Sequence, residues 1–164
     1  MNIPHMQSFL ARLICITPEH FGWVGVSETT HSLSGTDLAS SGWLQIQNMG
    51  AQVAGIQFRF DYLQTKGDRI HYQVSCASDV EGYQGRKMNI SRNGYLGFYR
   101  EQDAPLWKIE RLNEQSGAQR ERFHLRDKDG YRVCNHRSDD GWHYLNVRKG
   151  QVLTFGLRHV QILA

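Results

Sequence analysis

The stretch CNHRSDDGWHYLN, residues 134–146, holds the densest mix of groups able to do chemistry in this chain. It brings together Cys134, Asn135, His136, Asp139, Asp140, Trp142, His143 and Asn146 within one short span. One aromatic beside acids and amides suits a sugar. The apolar face of the sugar stacks on the ring, and the oxygens accept from its hydroxyls. On that chemistry Trp142 is the stacking platform, Asp139, Asp140 and Asn146 are the acceptors, and His143 lines the same site. A plainer reading makes Asp139, Asp140 and Gly141 a hairpin turn, with Trp142 a lid packed on the core.

The same residues invite comparison with a metal site. Cys134 and His136 stand two apart on a strand and so share a face. Zinc sites show firmer spacing and a second ligand pair, so no metal is predicted. The chain has no GxSxG, no HExxH, no P-loop and no paired carboxylates in a recognisable context. It is therefore read as a non-enzyme with no catalytic residues and no cofactor. His71 and His124 fall in similar strands, RIHYQV and RFHLRD, and are read as structural.

Residues that carry chemistry need a frame, and composition bounds it. The chain has 164 residues, 40% hydrophobic and 21% charged, which fits one folded domain over residues 1–164. No run of 18 apolar residues exists, so no transmembrane helix is predicted. The N-terminal apolar stretch SFLARLICI lacks a basic region before it and is interrupted by Arg12. No Sec signal is predicted, which leaves a cytoplasmic location or export by a signal-less route. A net charge of +3 without clustered Lys and Arg gives no reason to expect nucleic acid. Cys15, Cys76 and Cys134 have no CxxC spacing and are read as reduced, buried thiols. Arg120, Arg122, Arg126, Arg132 and Arg137 alternate with acids, Glu121, Asp127 and Asp129 among them, and are read as a charge-paired face.

Short alternating segments such as GWVGV, RIHYQV, YRVCNH and HYLNVR are punctuated by SRNG, DKDG and SDDG, the pattern of an all-β chain. One pattern recurs: aromatic, Leu, any residue, apolar. It reads Trp43-Leu44-Gln45-Ile46, Tyr95-Leu96-Gly97-Phe98 and Tyr144-Leu145-Asn146-Val147, at spacings of 52 and 49. Gly42, Gly94 and Gly141 precede the three copies, as hairpin turns require. A second series, Phe58, Trp107 and Phe155, repeats at 49 and 48. Together they divide the chain into units of about 8–57, 58–106 and 107–164, with FGWVGV taken as the first-unit counterpart of RIHYQV and RFHLRD. Leu44, Leu96 and Leu145 then hold equivalent core positions, with Ile46, Phe98 and Val147 beside them. The C-terminal LRHVQIL is expected to pair with LARLICI and remove an open edge. The turns themselves, SSG, SRNG and SDDG, share only their Gly, so either one unit binds or the turns are structural.

Three such units resemble the β-trefoil superfamily. The text YRVCNHRSDDGWHYLNV is similar to repeats of ricin-B-type lectin domains, and NISRNGYLGFY resembles fascin-like repeats. Ricin-type repeats end in Gln-x-Trp, and the corresponding positions here read Ile56-Gln57-Phe58, Pro105-Leu106-Trp107 and Leu153-Thr154-Phe155. The resemblance implies a β-trefoil, with a β-sandwich as the structural alternative. It implies a non-catalytic binding module, lectin-like through the third-unit turn. The alternative is a protein-binding trefoil with no sugar ligand. A glycan or a protein is thus the expected partner, and the oligomeric state is left open.

Overall fold

Alternation at period two decides the strands. In Phe9–Cys15 (β1), Phe9, Ala11 and Leu13 are buried while Leu10 and Arg12 are half-buried, as a strand with one face inward requires. The structure is a computed structural model that describes residues 3–27, 42–50, 53–80, 82–100, 104–112 and 121–163. The strands that follow are β2 (Gly22–Ser27), β3 (Leu44–Ile46), β4 (Val53–Gly55), β5 (Phe58–Lys66), β6 (Arg69–Cys76) and β7 (Met88–Ile90). Then come β8 (Leu96–Phe98), β9 (Trp107–Arg111), β10 (Phe123–Arg126), β11 (Cys134–Arg137), β12 (His143–Asn146), β13 (Gln151–Val152) and β14 (Phe155–Ile162). Among the described residues there is no α-helix, and none long and apolar enough to cross a membrane.

Six strands close on themselves in the order β14-β10-β9-β6-β5-β1, and β1 returns to β14. All neighbours are antiparallel. The closure is made by the expected pair: Leu13 faces Leu157 and Cys15 faces Phe155. A closed barrel replaces the two-sheet sandwich that the strand pattern also allowed. Its interior holds Phe9, Phe58, Phe60, Tyr72, Trp107, Phe123 and Phe155, all at most 1% exposed. Phe9 stacks on Phe60 at 4.8 Å, and Tyr72 meets both rings edge-on at 5.6 Å.

Three hairpins, β2–β3, β7–β8 and β11–β12, cover one end of the barrel. FGWVGV therefore belongs to a covering hairpin, not to the barrel. The barrel strand that leads into the first hairpin, as RIHYQV and RFHLRD lead into the others, is β1. The reason lies in pairing. Val24, Gly25 and Val26 of β2 pair with Ile46, Gln45 and Leu44 of β3. The apolar run of β2 is spent on that hairpin, and its link to β1 is only two residue pairs.

The recurring pattern marks where the three hairpins meet. Leu44, Leu96, Leu145, Ile46, Phe98 and Val147 all lie in one buried cluster. Trp43 stacks on Tyr95 at 4.3 Å, and Tyr144 meets both edge-on at 5.2 and 6.0 Å. The turns share one geometry. Gly94 donates its N–H to Ser91 and Gly141 donates to Ser138, both at 2.9 Å. Gly42, Gly94 and Gly141 each have φ of +88°, which a side chain rarely tolerates. This is a type I turn followed by a left-handed glycine. In the first hairpin Gly42 donates its N–H to the Ser27 carbonyl at 3.2 Å. Ser40 and Ser41 of the expected SSG turn belong to residues 28–41, and Ser41 and Ser40 lie outside the described residues.

A partly buried ion network ties β6, β9 and β10. Glu110 accepts from Arg126 Nε and Nη2 at 2.9 and 2.7 Å and contacts Arg69 at 3.3 Å. Burial alone raises the Glu110 carboxyl, but the Arg126 and Arg69 charges together outweigh it and hold it below the usual range. Of the arginine-rich segment, Arg126 is charge-paired, and its partner is Glu110 from another strand. Glu121 pairs with Arg111, and Asp127 caps a turn by accepting from the N–H groups of Asp129 and Tyr131. Arg120 lies outside the described residues. The three cysteines are free and buried, and burial raises each thiol.

Two predictions follow from this packing. The Tyr72 hydroxyl is buried without a partner. Tyr72→Phe is expected to raise stability by about 1 kcal/mol, because the folded state no longer strips water from an unused hydroxyl. A clear drop in denaturant midpoint would contradict it. Glu110→Gln is expected to cost about 2 kcal/mol at pH 7. A depressed carboxyl stabilises the fold above its unfolded pKa and stops doing so as pH falls through its folded one. The gap between parent and variant should therefore close in urea melts at acid pH.

Candidate functional site

The hairpin β11–β12 sorts the sequence candidates by period two. Asn135 faces Leu145, His136 faces Tyr144, and Arg137 faces His143 across the ladder. His143 therefore shares a face with Asn135, while His136 shares the other with Tyr144. The five residues expected to form one site occupy three environments.

Asn146 is 1% exposed, and its amide makes three hydrogen bonds. Its Oδ1 accepts from the N–H groups of Arg148 and Lys149 at 2.7 and 3.1 Å, and its Nδ2 donates to the Asn93 carbonyl at 3.1 Å. It clasps the third hairpin to the turn of the second. Gln45, at the same place in the recurring pattern, donates to the His143 carbonyl at 3.0 Å and so clasps the first hairpin to the third. Gly97 fills that place in the second. A Cβ there would sit 2.9 Å from the Gly42 carbonyl and 3.3 Å from Trp43, so the backbone itself makes the contact.

Asp140 is a staple. Its Oδ1 accepts from the Trp142 N–H at 2.8 Å and its Oδ2 from the Tyr144 hydroxyl at 2.7 Å. The staple fixes the backbone that carries Trp142 at the hairpin tip. Of the four tryptophans, Trp142 is the exposed one, at 44%. Trp107 is in the barrel core and Trp43 is in the ring cluster. Trp23 is covered by the Arg12 guanidinium at 5.2 Å and by the stacked ring of His159 at 5.9 Å.

His143 is half-buried and turned toward the first unit. Its Nδ1 meets the Asn135 Nδ2 at 2.8 Å, and its ring lies 6.2 Å from that of His20. Burial lowers its pKa, and the nearby His20, Arg137 and His136 lower it further. A neutral ring that accepts from Asn135 is a packing element. The Cys134 and His136 pair does share a face, but the Cys134 thiol contacts the Arg132 carbonyl and His136 bonds elsewhere. Among the described residues no three His, Cys, Asp or Glu side chains come together to hold a metal.

Asp139 is exposed and opens onto a cleft of about 320 Å³ between the second and third hairpin turns. Asn93 and Tyr95 form one side, and His136, Arg148 and Lys149 form the other, with Asn146 at the base. The Tyr95 hydroxyl and His136 Nδ1 are 3.0 Å apart, which fixes both rings. One Arg148 nitrogen donates to the Arg92 carbonyl and holds the guanidinium at the lip. Arg148 and Lys149 follow Asn146 in sequence and were invisible as site residues until the clasp turned them into this cleft. A larger hollow of about 490 Å³ lies by Ile90, Pro105, Leu106 and Trp107. It offers few free polar groups, since the Trp107 indole donates to the Met88 carbonyl and Asp127 caps its own turn.

Comparison of the chain with protein-family models, with curated proteins and with solved structures finds no match.

The clasp and the platform respond differently to truncation. Asn146→Ala is expected to lose about 2 kcal/mol, because it strips three hydrogen bonds from a buried site. Trp142→Ala, at an exposed tip, is expected to lose less than about 0.5 kcal/mol. Thermal melts of the two variants beside the parent chain check both.

Proposed function

We propose that this chain is a β-trefoil built of three internal repeats that acts as a non-catalytic binding module, lectin-like in its recognition of glycans. The closed six-stranded barrel and three covering hairpins support the trefoil reading. So do the shared glycine φ of +88° and the junction of Trp43, Tyr95 and Tyr144.

The observation that carries the sugar reading is the third hairpin tip. It presents the exposed Trp142, stapled by Asp140, three residues from Asp139, which has no ion-pair partner among the described residues and opens onto a polar cleft. An aromatic platform beside fixed acceptors and donors is what a polyhydroxyl ligand needs. Of the five candidates, Trp142 and Asp139 would touch the ligand. Asp140 would position the platform, and Asn146 and His143 would hold the hairpin.

A second reading, a protein partner with no sugar, draws on the other end of the barrel. Met6, Leu63 and Ile162 are exposed there, at 58%, 45% and 45%. Their segments meet at Ser8, whose hydroxyl accepts from Tyr62 N–H and whose carbonyl accepts from Leu163 N–H. Exposed aliphatic side chains gathered at one place suit protein contact.

A broad glycan array with the parent chain and Trp142→Ala separates the two. The sugar reading expects saturable binding that falls at least about 10-fold in the variant, the scale of one lost stacking contact. Binding unchanged by the substitution, or none from folded protein, sends attention to the Met6, Leu63 and Ile162 surface.

A further inference from the structure

We infer that the cleft between the second and third hairpin turns selects glycans carrying an anionic group, a carboxylate or a sulfate. The inference rests on the glycan reading above and names the ligand class of that same site.

Several arginines of this protein are spent on ion pairs. Arg59, Arg69, Arg111 and Arg126 each have a carboxylate partner. Arg148 and Lys149 are exposed and have none among the described residues. Both line the cleft, and Asp139 is the one carboxylate that lines it with them. Two cations face one anion across a space of about 320 Å³, so an added negative charge is what the lining lacks.

The Arg148 guanidinium is held in place, and the Lys149 backbone is fixed beside it. Arg148 is tied at its backbone to Asn146 Oδ1 and at its guanidinium to the Arg92 carbonyl. Lys149 is tied at its backbone to the same Asn146 oxygen. A guanidinium held in place loses less entropy on meeting a carboxylate or sulfate, and its fork matches either group. Neutral parts of the sugar have their own contacts: the Tyr95 hydroxyl and His136 ring, held together at 3.0 Å, offer a donor and an acceptor. Asp139 has a double effect. It accepts from sugar hydroxyls, and it opposes the acidic group it stands near.

The test is an array of matched pairs, each uronate-, sialate- or sulfate-bearing oligosaccharide printed beside its carboxyl-reduced or desulfated counterpart. Poly-glutamate is added as a charge control. The parent chain is expected to bind acidic members at least about 10-fold more tightly than their neutral counterparts. Preference should fall as salt is raised, since screening acts over about 8 Å at physiological ionic strength. Arg148→Gln with Lys149→Gln should remove the preference while the thermal melt stays unchanged. Asp139→Asn should strengthen binding to acidic members. Equal binding of the matched pairs overturns the anionic selection but keeps the glycan reading. Binding of poly-glutamate as tight as the acidic glycans makes charge alone the determinant and overturns the sugar assignment. No glycan bound by folded protein overturns both.

Discussion

The rings of Trp43, Tyr95 and Tyr144 can pack on one another only where three hairpins arrive at the same point. All three hairpins pair only three or four residues between their strands, which buries too little for independent stability. Each hairpin therefore depends on the junction, and the junction depends on all of them. The barrel below supplies a matching constraint. Phe9, Phe58, Phe60 and Tyr72 fill its interior only once β14 has closed on β1. Closure and junction are two ends of one requirement: no segment of this chain can bury its apolar face alone.

That requirement decides which polar residues are free. The residue between the Leu and the last apolar position of each copy lies at the seam with the next hairpin. Asn146 and Gln45 bridge that seam with side-chain amides, and Gly97 lets the backbones touch. Three different residues solve one geometric problem, so the sequence varies where the contact does not. Once Asn146 is committed to the seam, it holds the N–H groups of Arg148 and Lys149 and turns their side chains outward. The cleft is thus a by-product of the clasp. Its charge is set by residues with no part in the core.

Much of this was legible in the sequence, and the limits are instructive. The aromatic-Leu-x-apolar pattern located the junction because buried positions restrict residue type, and repetition exposed the restriction. The pairing of LRHVQIL with LARLICI was legible for the same reason. FGWVGV was misplaced because barrel and hairpin strands share one alternation, and only pairing separates them. Gly42 was found, but its partner Ser27 was not, since local reading assumes that a turn is closed by neighbouring residues. At the third hairpin tip, residue type pointed to an acid-rich turn with an aromatic. It did not reveal that Asp140 and Asn146 are consumed by internal hydrogen bonds while Asp139 is not. Adjacent acids look alike in sequence, and their fates differ because one faces the strand and the other faces the cleft.

The turns show why such a frame can hold different chemistry at each hairpin tip. In SRNG and SDDG the fold needs the Ser backbone to receive the Gly N–H and needs the Gly at φ of +88°. The turn itself sets only the backbone of the two residues between, and that backbone tolerates most side chains. The second unit places Arg92 and Asn93 there, and both serve the third through their carbonyls. The third places Asp139 and Asp140 there, one free and one bracing Trp142. The scaffold thus fixes the position of each tip and leaves its chemistry unassigned. Divergence between the units is what that division permits, and a cleft shared by two unlike turns is its product. Such a cleft needs no change in the barrel or in the hairpins that hold it.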